Sequence, residues 1–276
     1  PLLTHTGDRR NPEMLFVVAN INGQNVKCNY DTGAGVNIMS LDFAKRIGAT
    51  VIQTKNIKML GMFHEKSKGL VVVNSMLLGD LVYRNVPFFV MNMKTDDPLA
   101  NKKLEELGYG CVIGSETMMP LGEICFDFDM MQLVIPASCS GVPAYAPNFY
   151  RSPQHLFKLS LIDGISGNCI DANVDTGSSG SLLTYSYYKK NESFFHGMAA
   201  SDSLRMAGVG GVKVTKTITV PWSYTLAGKK YEITGIPVAV SSNYSEDYDC
   251  WIGLPMMMAH KKLIVNFKDM WMIFED

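Results

Sequence analysis

The tripeptide Asp31-Thr32-Gly33, followed by Ala34, returns in the chain as Asp175-Thr176-Gly177, followed by Ser178. A single Asp-Thr-Gly is typical of an ordinary turn, because Asp bonds nearby backbone N–H groups and Gly accepts positive φ. Here, however, small residues and then apolar residues follow both copies, which lie 144 positions apart. The sequence therefore predicts a repeated unit rather than two unrelated turns.

A second motif supports the repeat. Cys-x-Ile-Gly ends at Gly114 and again at Gly253, 139 positions apart, and similar apolar tails follow at residues 124–135 and 263–274. Two copies of one unit account for the 276 residues. The Gly- and Pro-containing stretch between them is typical of a linker. We expect an N-terminal lobe at residues 1–140, a linker at 141–152 and a C-terminal lobe at 153–276.

Composition narrows the function classes. The chain is 47% hydrophobic and carries 25 Lys and Arg against 26 Asp and Glu. The chain is therefore apolar enough to bury a core. Its balanced charge predicts no basic surface for binding nucleic acid. No apolar stretch approaches the roughly 18 residues of a membrane span. The six Cys and five His do not cluster, so we expect no metal site and no cofactor.

The chain begins at Pro1 with a polar lead. A processed start with a removed export signal would fit this beginning, so a periplasmic, surface or secreted location is favoured, although the compartment stays open.

Most of each copy is predicted to be strand. Residues 14–19 and 26–30 flank Asn22-Gly23, a strong hairpin signal, and this hairpin places Asp31 at the end of a strand. Residues 70–78 and 81–90 form a second hairpin, matched in the second copy by residues 213–220 and 231–240. Short helices are expected at residues 41–47, capped by Ser40, and near residues 104–107.

The two halves resemble the aspartic peptidases, whose signature is an apolar pair before Asp-Thr/Ser-Gly-Ala/Ser and an apolar-apolar-Gly triplet later in the same lobe. The first half looks most like the retropepsin-like branch, whereas two lobes in one chain are similar to the pepsin-like arrangement. One departure is that Asn29-Tyr30 and Asn173-Val174 precede the two Asp residues. The resemblance implies two β-barrel lobes with short helices and an active site at their interface.

The resemblance also implies the chemistry. Asp31 and Asp175 would be the catalytic pair, because two carboxylates about 3 Å apart share one proton and activate a water between them. Residues supporting them would be Thr32, Gly33, Ala34, Thr176, Gly177 and Ser178. Gly114 and Gly253 would serve as scaffold, a role that hardly differs from plain core packing. The enzyme would be a monomeric endopeptidase with pseudo-two-fold symmetry acting on extended polypeptides.

Two finer expectations follow. Ser178 has a hydroxyl that could donate to a carboxylate, whereas Ala34 has none, so we expect Asp175 to be the more readily charged of the pair. Two Gly-containing segments could be flaps over the cleft, or else ordinary turns. Their candidate residues are Gly61 and Phe63 in the first copy, and Gly208 and Gly210 in the second.

Two alternatives stay open. A catalytically silent homologue could bind peptides in the same cleft, although the retention of two mutually repelling carboxylates disfavours it. A structural protein could instead use its sheet edges to bind partners.

Overall fold

The computed structural model of the protein describes residues 1–52, 69–94, 97–141, 147–153, 156–200, 202–208, 211–241 and 247–276. Strands account for 51% of the structure and helices for 14%, which confirms the predicted mainly β fold. Within these ranges, no helix has the length and apolar character needed to cross a membrane.

The first half of the chain forms a closed six-stranded barrel and then contributes a hairpin to a sheet that both halves share. The barrel order is β2-β3-β7-β4-β6-β5, and Ile21 of β2 opposite Met76 of β5 closes the ring. The elements are β1 (Leu3–Gly7), β2 (Pro12–Ile21), β3 (Gln24–Tyr30), β4 (Ile38–Ser40), α1 (Leu41–Arg46), β5 (Gly69–Leu78), β6 (Leu81–Met91), α2 (Pro98–Leu107), β7 (Cys111–Ile113), α3 (Ser115–Met118), β8 (Glu123–Asp127) and β9 (Gln132–Val134).

The second half repeats this arrangement. The ring order is β11-β12-β17-β13-β16-β15, closed by Asp163 of β11 opposite Tyr224 of β15. Its elements are β10 (Phe149–Arg151), β11 (Phe157–Asp163), β12 (Cys169–Asp175), β13 (Leu182–Leu183), α4 (Tyr185–Lys190), β14 (Asp202–Gly208), β15 (Gly211–Leu226), β16 (Lys229–Ala239), β17 (Cys250–Gly253), α5 (Leu254–Met258), β18 (Lys262–Asn266) and β19 (Trp271–Glu275).

Local sequence explains the turns that shape the first barrel. Asn22 and Gly23 take φ values of 48° and 87° in the β2–β3 turn, as a two-residue hairpin turn requires. Ser40 accepts a hydrogen bond from the Phe43 N–H at 3.1 Å and so begins α1. In β5, Val71 and Val73 are buried in the barrel while Val72 between them is exposed, which is the alternation of a one-sided strand.

A four-stranded sheet of order β19-β18-β8-β9 joins the two halves. In its centre β8 and β18 pair antiparallel, with Cys125 opposite Ile264. These two residues are equivalent positions of the repeat, so the pairing has pseudo-two-fold symmetry. Apolar side chains of both strands are fully buried, among them Phe126 and Leu263. The lobes therefore share one continuous core.

The structure extends several predicted elements. Helix α2 starts at Pro98, well before residue 104, because the Asp97 side chain caps it by accepting from the Leu99 N–H at 2.8 Å. Strand β15 continues past Pro221, where a register shift accommodates the missing N–H. The segment predicted as linker contains β10, which pairs with β11. Strand β14 falls in a stretch without a predicted element.

Candidate active site

The two Asp-Thr-Gly turns lie at the ends of equivalent strands. Strand β3 pairs with β7 in parallel, and the Asp31 N–H donates to the Ile113 carbonyl at 3.0 Å. In the second lobe β12 pairs with β17 in parallel, so that Asp175 lies opposite Gly253. Each apolar-apolar-Gly triplet therefore lies directly beside the strand that ends in the aspartate.

Four hydrogen bonds tie one turn to the other. The Thr32 hydroxyl accepts from the Thr176 N–H at 3.0 Å and donates to the Val174 carbonyl at 2.8 Å. The Thr176 hydroxyl accepts from the Thr32 N–H at 3.0 Å and donates to the Tyr30 carbonyl at 2.6 Å. Both threonines are fully buried. The lobes are thus braced through the two turns themselves.

Gly33 and Gly177 permit the close approach of the two aspartates. A Cβ at position 33 would lie 2.3 Å from Cγ of Asp175, and a Cβ at position 177 would lie 2.6 Å from Cγ of Asp31. These distances are far shorter than any non-bonded contact between carbons. Each carboxyl group therefore occupies the space that a side chain of the other turn would need.

The backbone of each turn also holds its own carboxyl group. Oδ1 of Asp31 accepts from the Gly33 N–H, and Oδ1 of Asp175 accepts from the Gly177 N–H, both at 2.8 Å. The other oxygens differ. Oδ2 of Asp31 receives a long contact of 3.5 Å from the Asn29 amide, whereas Oδ2 of Asp175 accepts from the indole N–H of Trp251 at 3.0 Å.

The two carboxyl groups are within hydrogen-bonding reach of each other, and both have raised pKa values. Burial raises the pKa of Asp31, while hydrogen bonds from Asp175 and from neighbouring backbone N–H groups partly offset this effect. Burial, and then the charge of Asp31, raise the pKa of Asp175 well above its usual range. The two carboxyl groups therefore titrate as a pair.

The expectation that Asp175 is the more readily charged residue loses its stated reason and stays a prediction. It depended on a hydrogen bond from Ser178, but the Ser178 hydroxyl donates to the Gly180 carbonyl at 2.9 Å and does not contact the carboxylate. The Gly177 and Trp251 donors, which Asp175 does have, favour its charged form, while burial and the charge of Asp31 oppose it.

Gly114 and Gly253 support the loops that follow the two turns. A Cβ at Gly114 would lie 2.7 Å from the Ala34 carbonyl oxygen, and a Cβ at Gly253 would lie 2.1 Å from that of Gly180. In addition, the Gly253 N–H donates to the Ser181 hydroxyl at 2.9 Å. Both glycines thus lie against the loops, in the position expected of a scaffold.

The flap candidates are described only in part. Gly61, Phe63 and Gly210 lie outside the described residues. Gly208 ends β14, where it pairs with Gly211 at the start of β15. Further down this hairpin, Arg205 forms an ion pair with Asp97 of the first lobe, so the hairpin reaches across to the other half of the molecule.

Sequence reasoning missed two tyrosines, one near Asp31 and its counterpart against Trp251. Burial, and then the charge of the nearby Asp31, raise the pKa of Tyr109. Tyr248 packs edge-on against Trp251, with ring centroids 5.8 Å apart. The two tyrosines occur 139 positions apart, so extending the Cys-x-Ile-Gly repeat by two residues would have found them. The hydrogen bond of Trp251, in contrast, has no counterpart in the first copy.

Two closed β lobes that meet at paired Asp-Thr-Gly turns define the fold of an aspartic proteinase, and the predicted resemblance to this class is confirmed. Residues 17–113 match the family model described as aspartyl protease. Among solved structures, the aspartic proteinase from Irpex lacteus matches with a TM-score of 0.56 and 13% identity, covering 99% of this chain and 95% of that chain. A search of curated proteins finds no match.

Proposed function

We propose that the protein is an aspartic endopeptidase, a hydrolase that cleaves peptide bonds by means of water activated between Asp31 and Asp175. The observation that carries the proposal is the meeting of two carboxyl groups, one from each lobe, with raised pKa values. The carboxyl group of Asp175 is buried and that of Asp31 is partly buried. A pair of this kind holds one proton over a range of pH, which supplies a base and an acid side by side.

The two residues have complementary roles. We assign the role of base to Asp31, which removes a proton from the water as the water oxygen attacks the substrate carbonyl carbon. Asp175 donates its proton to the carbonyl oxygen, giving a tetrahedral diol. Asp31 then gives the proton it took from the water to the amide nitrogen while Asp175 takes one back from a diol hydroxyl, so that the C–N bond breaks and an amine and a carboxylic acid leave. No covalent intermediate with the protein forms.

The surroundings favour apolar substrate side chains near the bond that is cleaved. Beside Asp31, an apolar group continues outward from Val112, and its members Ala34, Val36 and Met93 are only partly buried. Beside Asp175, the rings of Trp251 and Tyr248 form an aromatic counterpart. An extended polypeptide across both would place apolar residues on either side of the dyad.

A single chain contains both carboxyl groups, so the site does not require a second copy. This supports the proposal of a monomer with pseudo-two-fold symmetry, in contrast to an enzyme assembled from two identical lobes. Size-exclusion chromatography with light scattering, compared with activity at the same dilution, tests this point. Loss of specific activity on dilution would contradict it.

The function is tested by incubating the protein with an unfolded polypeptide from about pH 3 to 7, with and without a statine-type transition-state mimic. We expect cleavage that the mimic inhibits and that both Asp31→Asn and Asp175→Asn abolish. Ser178→Ala is a matched control, since its hydroxyl bonds only within its own loop, and it should keep most of the activity.

The outcomes separate the alternatives. If the wild-type protein binds the mimic but cleaves nothing at any pH, the peptide-binding homologue is correct and the enzyme is not. If it neither cleaves nor binds the mimic, both readings fail and a structural role gains support.

A further inference from the structure

The environment of Asp175 contains a donor that has no equivalent beside Asp31. The indole N–H of Trp251 donates to Oδ2 of Asp175 at 3.0 Å. The equivalent residue of the first lobe is Val112, an apolar side chain that cannot donate. The two aspartates therefore differ at Oδ2, which accepts an indole N–H in Asp175 but has no such donor in Asp31.

Strand pairing fixes the backbone of Trp251, and an aromatic neighbour contacts its indole ring. Trp251 lies in β17, opposite Asn173 of β12 and Leu182 of β13. Its ring packs edge-on against Tyr248, whose own ring carries the ammonium group of Lys158 at 3.9 Å from its centroid. The N–H is therefore a fixed donor, oriented before any substrate arrives.

We infer that Trp251 is the positioning residue of the dyad: its N–H fixes the rotation of the Asp175 carboxyl group and stabilises that group when it is ionised. With Gly177 on Oδ1 and Trp251 on Oδ2, both oxygens of Asp175 have directed donors. This inference rests on the proposed function for its catalytic meaning, but the bond itself can be tested without activity.

The bond acts on one limb of the pH–rate profile. Among the described residues, two titratable groups lie on the Asp31 side of the Trp251–Asp175 bond, namely Asp31 itself and Tyr109. On the side of the indole ring lie Tyr248, Lys158 and the ion-pair partner of Lys158, Asp247. In the proposed mechanism Asp31 is the charged member of the pair, so the Trp251 bond matters little for the first proton to leave.

The second proton leaves Asp175 itself, and there the donor opposes the raised pKa. Removing the N–H should therefore move the alkaline limb to higher pH. A hydrogen bond to a charged group corresponds to a shift of roughly one to two pH units.

The direct test is an NMR titration of the ¹⁵N-labelled protein. The chain has three Trp, so three indole N–H resonances are expected, assigned by single Trp→Phe variants. The Trp251 resonance should shift with the titration of the dyad, and this shift should disappear in Asp175→Asn. The Trp222 indole bonds Asp163 at 2.7 Å and serves as the internal reference, because that carboxylate ionises at lower pH.

The kinetic test compares Trp251→Phe with 3-benzothienylalanine at position 251, which keeps the bicyclic ring and replaces the N–H with sulfur. Both should move the alkaline limb to higher pH by about one to two units and leave the acidic limb in place. Trp222→Phe is the matched control, since it removes the same kind of indole–carboxylate bond away from the dyad, and both of its limbs should stay in place.

The results separate this inference from the proposed function. A Trp251 resonance that does not follow the dyad, or an unmoved alkaline limb in both position-251 variants of an active enzyme, overturns the inference and leaves the peptidase intact. A resonance that follows Asp175 in a protein without cleavage activity upholds the bond and overturns the peptidase.

Discussion

The hydrogen bonds between the two Asp-Thr-Gly turns allow us to predict how much Thr176→Val lowers the free energy of unfolding. The substitution keeps the shape of the side chain and removes the hydroxyl. That hydroxyl donates to the Tyr30 carbonyl at 2.6 Å and accepts from the Thr32 N–H at 3.0 Å. Thr176 is fully buried, so water cannot replace either partner. The variant leaves one C=O and one N–H of the opposite lobe without a hydrogen bond.

Each unsatisfied buried group costs about 1–3 kcal/mol, so Thr176→Val should reduce the free energy of unfolding by about 2–6 kcal/mol. This is a large fraction of the roughly 5–15 kcal/mol that stabilises a typical domain. Thr176→Ser is the control: it keeps both hydrogen bonds and loses one methyl group, worth about 1 kcal/mol. Thr32→Val should resemble Thr176→Val, because its bonds to Val174 and Thr176 mirror the same pattern.

The assay is urea unfolding followed by circular dichroism and by Trp fluorescence, which reports on the second half because all three Trp lie there. The double variant of Thr32 and Thr176 should lose less stability than the sum of the single variants, since parting of the turns breaks all four bonds together. Equal stability of Thr176→Val and Thr176→Ser, with activity retained, would refute the idea that these hydroxyls brace the lobes.

Three other variants test the site and the core around it. Gly33→Ala should lower kcat/KM by about 100-fold or more, because its Cβ would displace the Asp175 carboxyl group; near-normal kinetics would contradict the close approach. Burial and the charge of Asp31 raise the pKa of Asp175 in the folded state, so ionisation of this residue destabilises the wild type as pH rises above about 4. The Tm of Asp175→Asn should therefore exceed that of the wild type by a margin that grows toward pH 7. A Tm difference that does not change with pH would exclude this coupling. Burial opposes ionisation of Asp163, but bonds from Ser166, Trp222 and Tyr187 hold its pKa below the usual range. Asp163→Ala should therefore unfold about 3 kcal/mol more easily at pH 7, with the difference shrinking in acid; an unchanged urea midpoint would show that these donors find other partners.

The repeat is the part of the fold that the sequence predicts best. The offset between the two Asp-Thr-Gly turns and the Asn22-Gly23 hairpin signal are local patterns, and local chemistry decides both. Closure of the rings is less visible in the sequence. It depends on the pairing of Ile21 with Met76 and of Asp163 with Tyr224, which are contacts between distant residues with no motif of their own.

At the site, residue types predict the members but not their bonds. Asp31 and Asp175 follow from the motif, whereas the partner of the Ser178 hydroxyl depends on a loop that turns it toward Gly180. The Trp251 bond is also hidden, because an indole in an apolar triplet is equally typical of core packing. Direction of a donor is decided by tertiary structure, and single-sequence patterns carry no information about it.

The sheet joining the halves has a consequence for how the two lobes would recognise each other if they were separate chains. In the actual pairing, Lys262 faces Asp127 with their charged groups 3.8 Å apart, and the Asn266 amide donates to Glu123 at 2.7 Å. Two copies of the first lobe, paired in the same register, would instead place Glu123 opposite Asp127, carboxylate against carboxylate. The repeat has thus diverged into complementary halves, and lobes produced as separate polypeptides would assemble as an unlike pair in preference to two first lobes.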